Sequence, residues 1–146
     1  RLPLHTVGRH LIAEFYGCDS GLLDDTKRIR EVMIHAAERT GVTMVGEIFH
    51  QFAPQGVSGT IVIAESHMSV HTWPENGYAA VDIFTCGGID PRPGFQLLGK
   101  ALQAKSFRMQ EIVRGIVEDV DENRHLLPED VQLMCHTAPV RETRKA

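Results

Sequence analysis

From residue 42 to residue 88 the chain offers four strand-like runs, at 42–52, 58–65, 68–73 and 78–86, with gaps between them too short to hold a helix. Each run is rich in β-branched or aromatic residues, and the breakers are Ala53-Pro54-Gln55-Gly56, Pro74 and Gly87-Gly88. Parallel neighbours need a crossover of a dozen or more residues, whereas antiparallel neighbours need only a tight turn. This stretch therefore predicts an antiparallel sheet. Within 58–65, Ile61 and Ile63 fall on one face and Val62 on the other, the alternation of a half-buried strand.

The flanking sequence adds two helices and two further strands. Residues 8–16 read as a strand closed by Gly17. Asp24 or Asp25 then offers an N-cap, and Ile29, Val32, Met33, Ala36 and Ala37 recur at the spacing of one buried helical face before Gly41 stops it. Pro91 and Pro93 lead into a second helix over 94–104, with Phe95, Leu98 and Leu102 inward. Residues 107–113 are a last strand, closed by Gly115, and 117–146 read as a loosely packed tail. Strands in adjacent runs with only two helices predict an α+β two-layer sandwich: a mainly antiparallel sheet covered by two helices, as one domain over 1–146.

Charge and composition remove several functions. A net charge of −4, with acids and bases mixed along the chain, gives no basic face for nucleic acid or an anionic membrane. The most apolar run, Ile61-Val62-Ile63-Ala64, is far short of the ~20 residues a membrane span requires. The first residues lack the zones of a secretion signal, although the chain begins at Arg1. Cys18, Cys86 and Cys135 are odd in number and form no CxxC, which argues against a disulfide scaffold or structural zinc. Reduced cysteines and a cytoplasmic location are expected.

Residues 52–86 are dense in reactive side chains: Ser58, Glu65, Ser66, His67, Ser69, His71, Glu75, Asp82 and Cys86. The plain alternative is a strand with polar residues on its solvent side. A metal centre would need His50, His67 and His71 to converge, yet no HExxH or cysteine pair completes a ligand set, so no metal is expected. A hydrolase would pair Ser66 or Cys86 with His71, but no GxSxG elbow surrounds Ser66. Pyridoxal phosphate would need a Schiff-base lysine, and Lys27, Lys100, Lys105 and Lys145 all lie away from this segment.

The run Phe52-Ala53-Pro54-Gln55-Gly56-Val57-Ser58-Gly59, then Glu65-Ser66-His67, then His71-Thr72-Trp73-Pro74-Glu75, closely resembles the bacterial and archaeal S-adenosylmethionine decarboxylases. Tyr78-Ala79-Ala80-Val81-Asp82, Thr85-Cys86-Gly87 and Gly8-Arg9-His10 continue the resemblance, which spans residues 8–113 in order. The tail after Gly115 is longer than the resemblance leads one to expect.

The resemblance implies a proenzyme that cuts its own Glu65–Ser66 bond into chains 1–65 and 66–146. The Ser66 hydroxyl attacks the Glu65 carbonyl, turning an amide into an ester. Loss of the Ser66 α-proton releases Glu65, and the dehydroalanine left behind hydrolyses to a covalent pyruvoyl group. The resemblance assigns His71 to proton transfer in processing and Ser58 to polarising the Glu65 carbonyl; an imidazole titrating near neutrality suits that transfer. The pyruvoyl ketone then condenses with the substrate amine, and Cys86 reprotonates the carbon left as carbon dioxide departs. Phe52 would stack on the adenine, with His71 a further candidate there, and Glu75 would hold the ribose. A core phenylalanine, a turn-capping glutamate and a buried strand-end thiol are the plain alternatives for Phe52, Glu75 and Cys86. A homodimer of cleaved protomers is implied, forming decarboxylated S-adenosylmethionine, the aminopropyl donor of spermidine biosynthesis.

Arginine or ornithine decarboxylation by the same self-cleaving machinery is the nearest alternative, and Phe52, Trp73 and Glu75 favour the nucleoside. A binding module without chemistry and a serine hydrolase are the rivals from other classes. One geometric difficulty is visible already. On a straight strand Ser66 and His71, five steps apart, point to opposite faces. Their pairing requires a bend, a bulge or delivery across a dimer.

Overall fold

The computed structural model of the chain describes residues 5–86 and 88–117. Among these residues six strands form one antiparallel sheet: β1 (His5–Tyr16), β2 (Thr43–Gln51), β3 (Val57–Ala64), β4 (Ser66–Trp73), β5 (Tyr78–Cys86) and β6 (Ser106–Val117). Their order is β2-β3-β4-β5-β1-β6. Among the described residues three α-helices accompany it: α1 (Ser20–Leu23), α2 (Thr26–Thr40) and α3 (Arg92–Ala101). The expected α+β two-layer sandwich is therefore the observed one. Among the described residues no helix is long and apolar enough to cross a membrane. The tail expected over 117–146 lies outside the described residues beyond Val117.

Each strand buries alternate residues beneath the helices. Leu11, Ala13 and Phe15 of β1, Ile61 and Ile63 of β3, Met68 and Val70 of β4, and Val81 and Ile83 of β5 are all almost fully buried. They meet Ile29, Val32, Met33, Ala36 and Ala37 from α2 and Phe95 and Leu98 from α3. Phe15 anchors the join, with ring centroids 5.6 Å from Phe107 and 6.4 Å from Phe95. Burying each large aliphatic side chain of this kind contributes about 1.5–3 kcal/mol.

The local chemistry explains the boundaries. Asp25, not Asp24, caps α2, accepting from the Arg28 amide at 3.0 Å. Asp24 instead accepts from the Gly56 amide and the Gln51 side chain, each at 2.8 Å, and so ties the 52–56 loop to the helix layer. Gly41 ends α2 at φ 80°, the left-handed cap that glycine adopts without strain.

Three expectations need adjustment. A third helix, the single turn α1 capped by Asp19, precedes α2 and is too short to show a period. α3 starts at Arg92 and ends at Ala101, because Leu102 and the left-handed Gln103 (φ 55°) close it. β6 runs through Gly115 to Val117. β2 lies at one edge of the sheet, with β6 at the other: it bulges between Met44 and Gly46 and leaves Val45 and Ile48 exposed.

The helices cover only one face. On the other lie His10, Ile12 and Glu14 of β1, Ser58, Thr60 and Val62 of β3, His67, Ser69, His71 and Trp73 of β4, and Ala80, Asp82, Phe84 and Cys86 of β5. That face is where the reactive residues collect.

Candidate active site

β3 and β4 form a hairpin in which Glu65 is the only residue between the strands, and Ser66 pairs with Ile63. Beside this tip runs the end of β5. Cys86 donates its thiol hydrogen to Glu65 Oε2 at 3.3 Å. That bond to a carboxylate, with a smaller push from burial, raises the Cys86 thiol above its ordinary pKa. The thiol is thus held protonated near neutral pH, the state a proton donor needs. Glu65, Ser66 and Cys86 form one group at one end of the sheet.

The remaining expected site residues gather at the opposite end. Ser58 and His71 are register partners on the uncovered face, with Ser58 Oγ 2.8 Å from His71 Nδ1. Trp73 continues that row and tilts against Tyr78 at 5.3 Å. Phe52 follows β2, half exposed, its ring edge-on to His50 at 4.6 Å. Glu75 lies in the 3-10 turn Pro74–Asn76 after β4 and accepts from Gln55 Nε2 at 3.0 Å, which links the 52–56 loop to the 74–77 turn.

The ladder that separates the two groups is unbroken. Ser58 pairs with His71, Thr60 with Ser69, Val62 with His67 and Ile63 with Ser66, without a shift of register. On the other side His67 pairs with Phe84 and Trp73 with Tyr78, again without a shift. No bend or bulge intervenes, so His71 faces away from the helices while Ser66 has the parity of buried Met68 and Val70. Five strand residues separate them by roughly 16 Å. One protomer brings neither His71 nor Ser58 to the Glu65–Ser66 bond, and the Ser66–His71 and Cys86–His71 pairs of a hydrolase do not form within it.

Nor do the three histidines considered for a metal converge. His67 Nε2 lies 2.9 Å from Asp82 Oδ2, and His10 Nε2 lies 2.6 Å from the same oxygen. Among the described residues, His10, His67 and Asp82 are the grouping whose donor atoms approach within 4.8 Å of one another. Arg114 lies across the Phe84 ring and places an N–H 3.2 Å from His10 Nδ1. Arginine can only donate, so His10 accepts at Nδ1 and carries its proton on Nε2, facing Asp82. Both ring nitrogens of His10 are thereby engaged. Sequence reading missed this hub, because its members come from three strands and meet only once the register is known. A shallow hollow of about 250 Å³ lies beside it, lined by His10, Ile12, His71, Ala80, Val81 and Asp82.

The family described as S-adenosylmethionine decarboxylase matches residues 9–115. The S-adenosylmethionine decarboxylase proenzyme of Caldanaerobacter subterraneus subsp. tengcongensis is 48% identical over 116 residues, covering 79% of this chain and 94% of that protein. The Thermotoga maritima proenzyme is 48% identical over 128 residues, covering 87% of this chain and 95% of its own. Among solved structures, the adenosylmethionine decarboxylase of Aquifex aeolicus superposes with a TM-score of 0.73 at 36% identity, covering 81% of this chain and 98% of that one. The Trypanosoma brucei AdoMetDC-delta26 monomer shares the fold at a TM-score of 0.54 and 14% identity, covering 77% of this chain and 52% of that chain.

Proposed function

This chain belongs to the S-adenosylmethionine decarboxylase family, and we propose that its catalytic group is a pyruvoyl made from its own Ser66 and served by residues from both ends of the sheet. It decarboxylates S-adenosylmethionine, giving the aminopropyl donor of spermidine synthesis. When present, a pyruvoyl group supplies a ketone that takes up the electrons released as carbon dioxide leaves. The residues at the hairpin tip fit such a group. Ser66 opens β4 immediately after the exposed Glu65, and a protonated thiol stands beside that residue.

The chain's own groups divide the work. In processing, a bond forms from Ser66 Oγ to the Glu65 carbonyl carbon as the bond to the Ser66 nitrogen breaks, and the hydroxyl proton passes to that nitrogen. Ser58 polarises the carbonyl and His71 removes the Ser66 α-proton, releasing Glu65 as a carboxylate; the dehydroalanine left at position 66 takes up water and loses its nitrogen as ammonia. In turnover, Cys86 delivers a proton to the substrate carbon. Phe52 stacks on the adenine and Glu75 accepts from the ribose hydroxyls.

The observation that carries this reading is the unbroken β3–β4–β5 register, which keeps Ser58 and His71 a sheet's length from Ser66. A second copy laid on the uncovered face, turned end for end, sets one protomer's Ser58–His71 pair over the other's hairpin tip. Supporting a homodimer there, Ile12, Val62 and Trp73 leave 38%, 49% and 42% of their surface exposed on a face that no helix covers.

A denaturing gel with intact-mass analysis tests the cleavage. The expected result is two fragments meeting between residues 65 and 66, and a single uncut band for Ser66→Ala. One intact band from protein that releases carbon dioxide would overturn the reading. Parallel assays with S-adenosylmethionine, arginine and ornithine should show release from the first alone.

A further inference from the structure

We infer that the Thr85 hydroxyl is a hydrogen-bond donor to Ser66 Oγ during self-cleavage. Thr85 is 2% exposed, and its Oγ1 is, among the described residues, the only fully buried side-chain oxygen or nitrogen without a partner. A buried hydroxyl with no partner costs free energy that a valine of the same shape would avoid. A partner in some other state of the molecule would offset that cost.

The sheet supplies one. Register pairs Met68 with Ile83 and His67 with Phe84; one more step of the same ladder sets Thr85 opposite Ser66. Both residues have the parity of the buried face: Ser66 follows Met68 and Val70, and Thr85 follows Val81 and Ile83. Directly opposed residues on one face of an antiparallel pair have Cβ atoms about 4.5–5.5 Å apart, within reach of a bond between two hydroxyls. On the other flank Thr85 pairs with Arg9, whose guanidinium is already engaged by Glu111. Of the two cross-strand neighbours, Ser66 is the one left.

This inference rests on the self-cleavage proposed above and adds a residue to it. A donor on Ser66 Oγ fixes that oxygen against the Glu65 carbonyl and leaves Ser66's own proton free to move to the amide nitrogen. Once the ester has formed, the same oxygen becomes the leaving carboxylate of Glu65. Negative charge then grows on the atom to which Thr85 donates. Thr85 gives up no proton in either step, so the reaction balances without it.

The test compares Thr85→Val and Thr85→Ser in the full chain, following fragment appearance on a denaturing gel and thermal midpoint side by side. Thr85→Val should cleave slower by roughly one to two orders of magnitude, the scale on which small misplacements act. Its thermal midpoint should be unchanged or higher, because the hydroxyl removed has no partner. Thr85→Ser, which keeps the hydroxyl, should cleave within a few-fold of the parent. Cleavage of Thr85→Val at the parent rate would overturn the inference. So would equal slowing in both variants, or slowing only in proportion to lost thermal stability. If the parent chain itself stays uncut, the proposed self-cleavage fails instead, and the two failures cannot be confused.

Discussion

The hairpin-tip end of the sheet and the end formed by the 52–56 loop and the 74–77 turn differ in what their side chains can do. At the tip stand a carboxylate, a hydroxyl and a thiol: Glu65, Ser66 and Cys86. They can be attacked, can attack and can donate a proton, but among the described residues no imidazole of the same protomer faces Ser66. At the loop end stand an imidazole, a hydroxyl, aromatic rings and an acid: His71, Ser58, Phe52, Trp73 and Glu75. Those groups can move a proton and bind a nucleoside, but they have no bond to cut. On the proposed reading each end holds half of a reaction, and an eight-residue strand, β4, keeps the halves apart. In the proposed dimer, rigidity within one chain becomes precise placement between two.

The division can be broken by a variant at one end that disturbs the other end's task. Phe52→Ala removes the ring proposed to stack on the adenine, and base–aromatic stacking is worth about 1–3 kcal/mol. The expected outcome is a KM for S-adenosylmethionine higher by roughly one order of magnitude, with self-cleavage at the parent rate. Slowed cleavage in Phe52→Ala, read from a time course on a gel, would show that the loop end does not separate binding from processing as proposed.

A smaller effect sharpens the tip. The Glu65 carboxylate raises the Cys86 thiol by accepting its hydrogen and by lying beside it as a negative charge. Replacing it with an uncharged amide removes the penalty on the thiolate, so the thiol pKa should fall. A donor must be protonated, and activity should therefore be lost at lower pH. In cleaved Glu65→Gln enzyme the alkaline limb of the kcat profile is expected to move toward lower pH, with the acid limb in place. An alkaline limb that does not move would remove Glu65 from any part in holding the Cys86 proton.

Much of this architecture is legible in the sequence where one period dominates. The α2 face of Ile29, Val32, Met33, Ala36 and Ala37 is the buried face observed, because 3.6-residue spacing leaves no other surface for it. β3 and β5 follow from strict alternation and from the Pro and Gly that bound them. β2 is harder: as an exposed edge strand with a bulge it has no alternation of burial to read. α1 is one turn long and signals only through Asp19, whose carboxylate accepts from the Leu22 amide at 2.9 Å.

The candidate site divides the same way. The opposition of Ser66 and His71 across β4 follows from counting residues, since side chains alternate by two. The His10–Asp82–His67 hub and the placement of Thr85 opposite Ser66 do not follow from the sequence. They depend on which strands become neighbours and in what register, and partners separated by 72 positions, such as His10 and Asp82, carry no local trace of each other.

The most direct test of the central claim, that each site is assembled from two protomers, is a mixed dimer. Ser66→Ala and His71→Ala chains carrying tags of different mass would be made separately and together, and the fragments assigned by mass. Alone, Ser66→Ala should stay uncut and His71→Ala should cut slower by roughly 10²–10⁴-fold, the usual contribution of a positioned proton-transfer group. Together, the His71→Ala chain should be cut at close to the parent rate in mixed dimers, using the His71 of its Ser66→Ala partner. If isolated mixed dimers cut no faster than His71→Ala alone, His71 does not act across the dimer and the account is wrong.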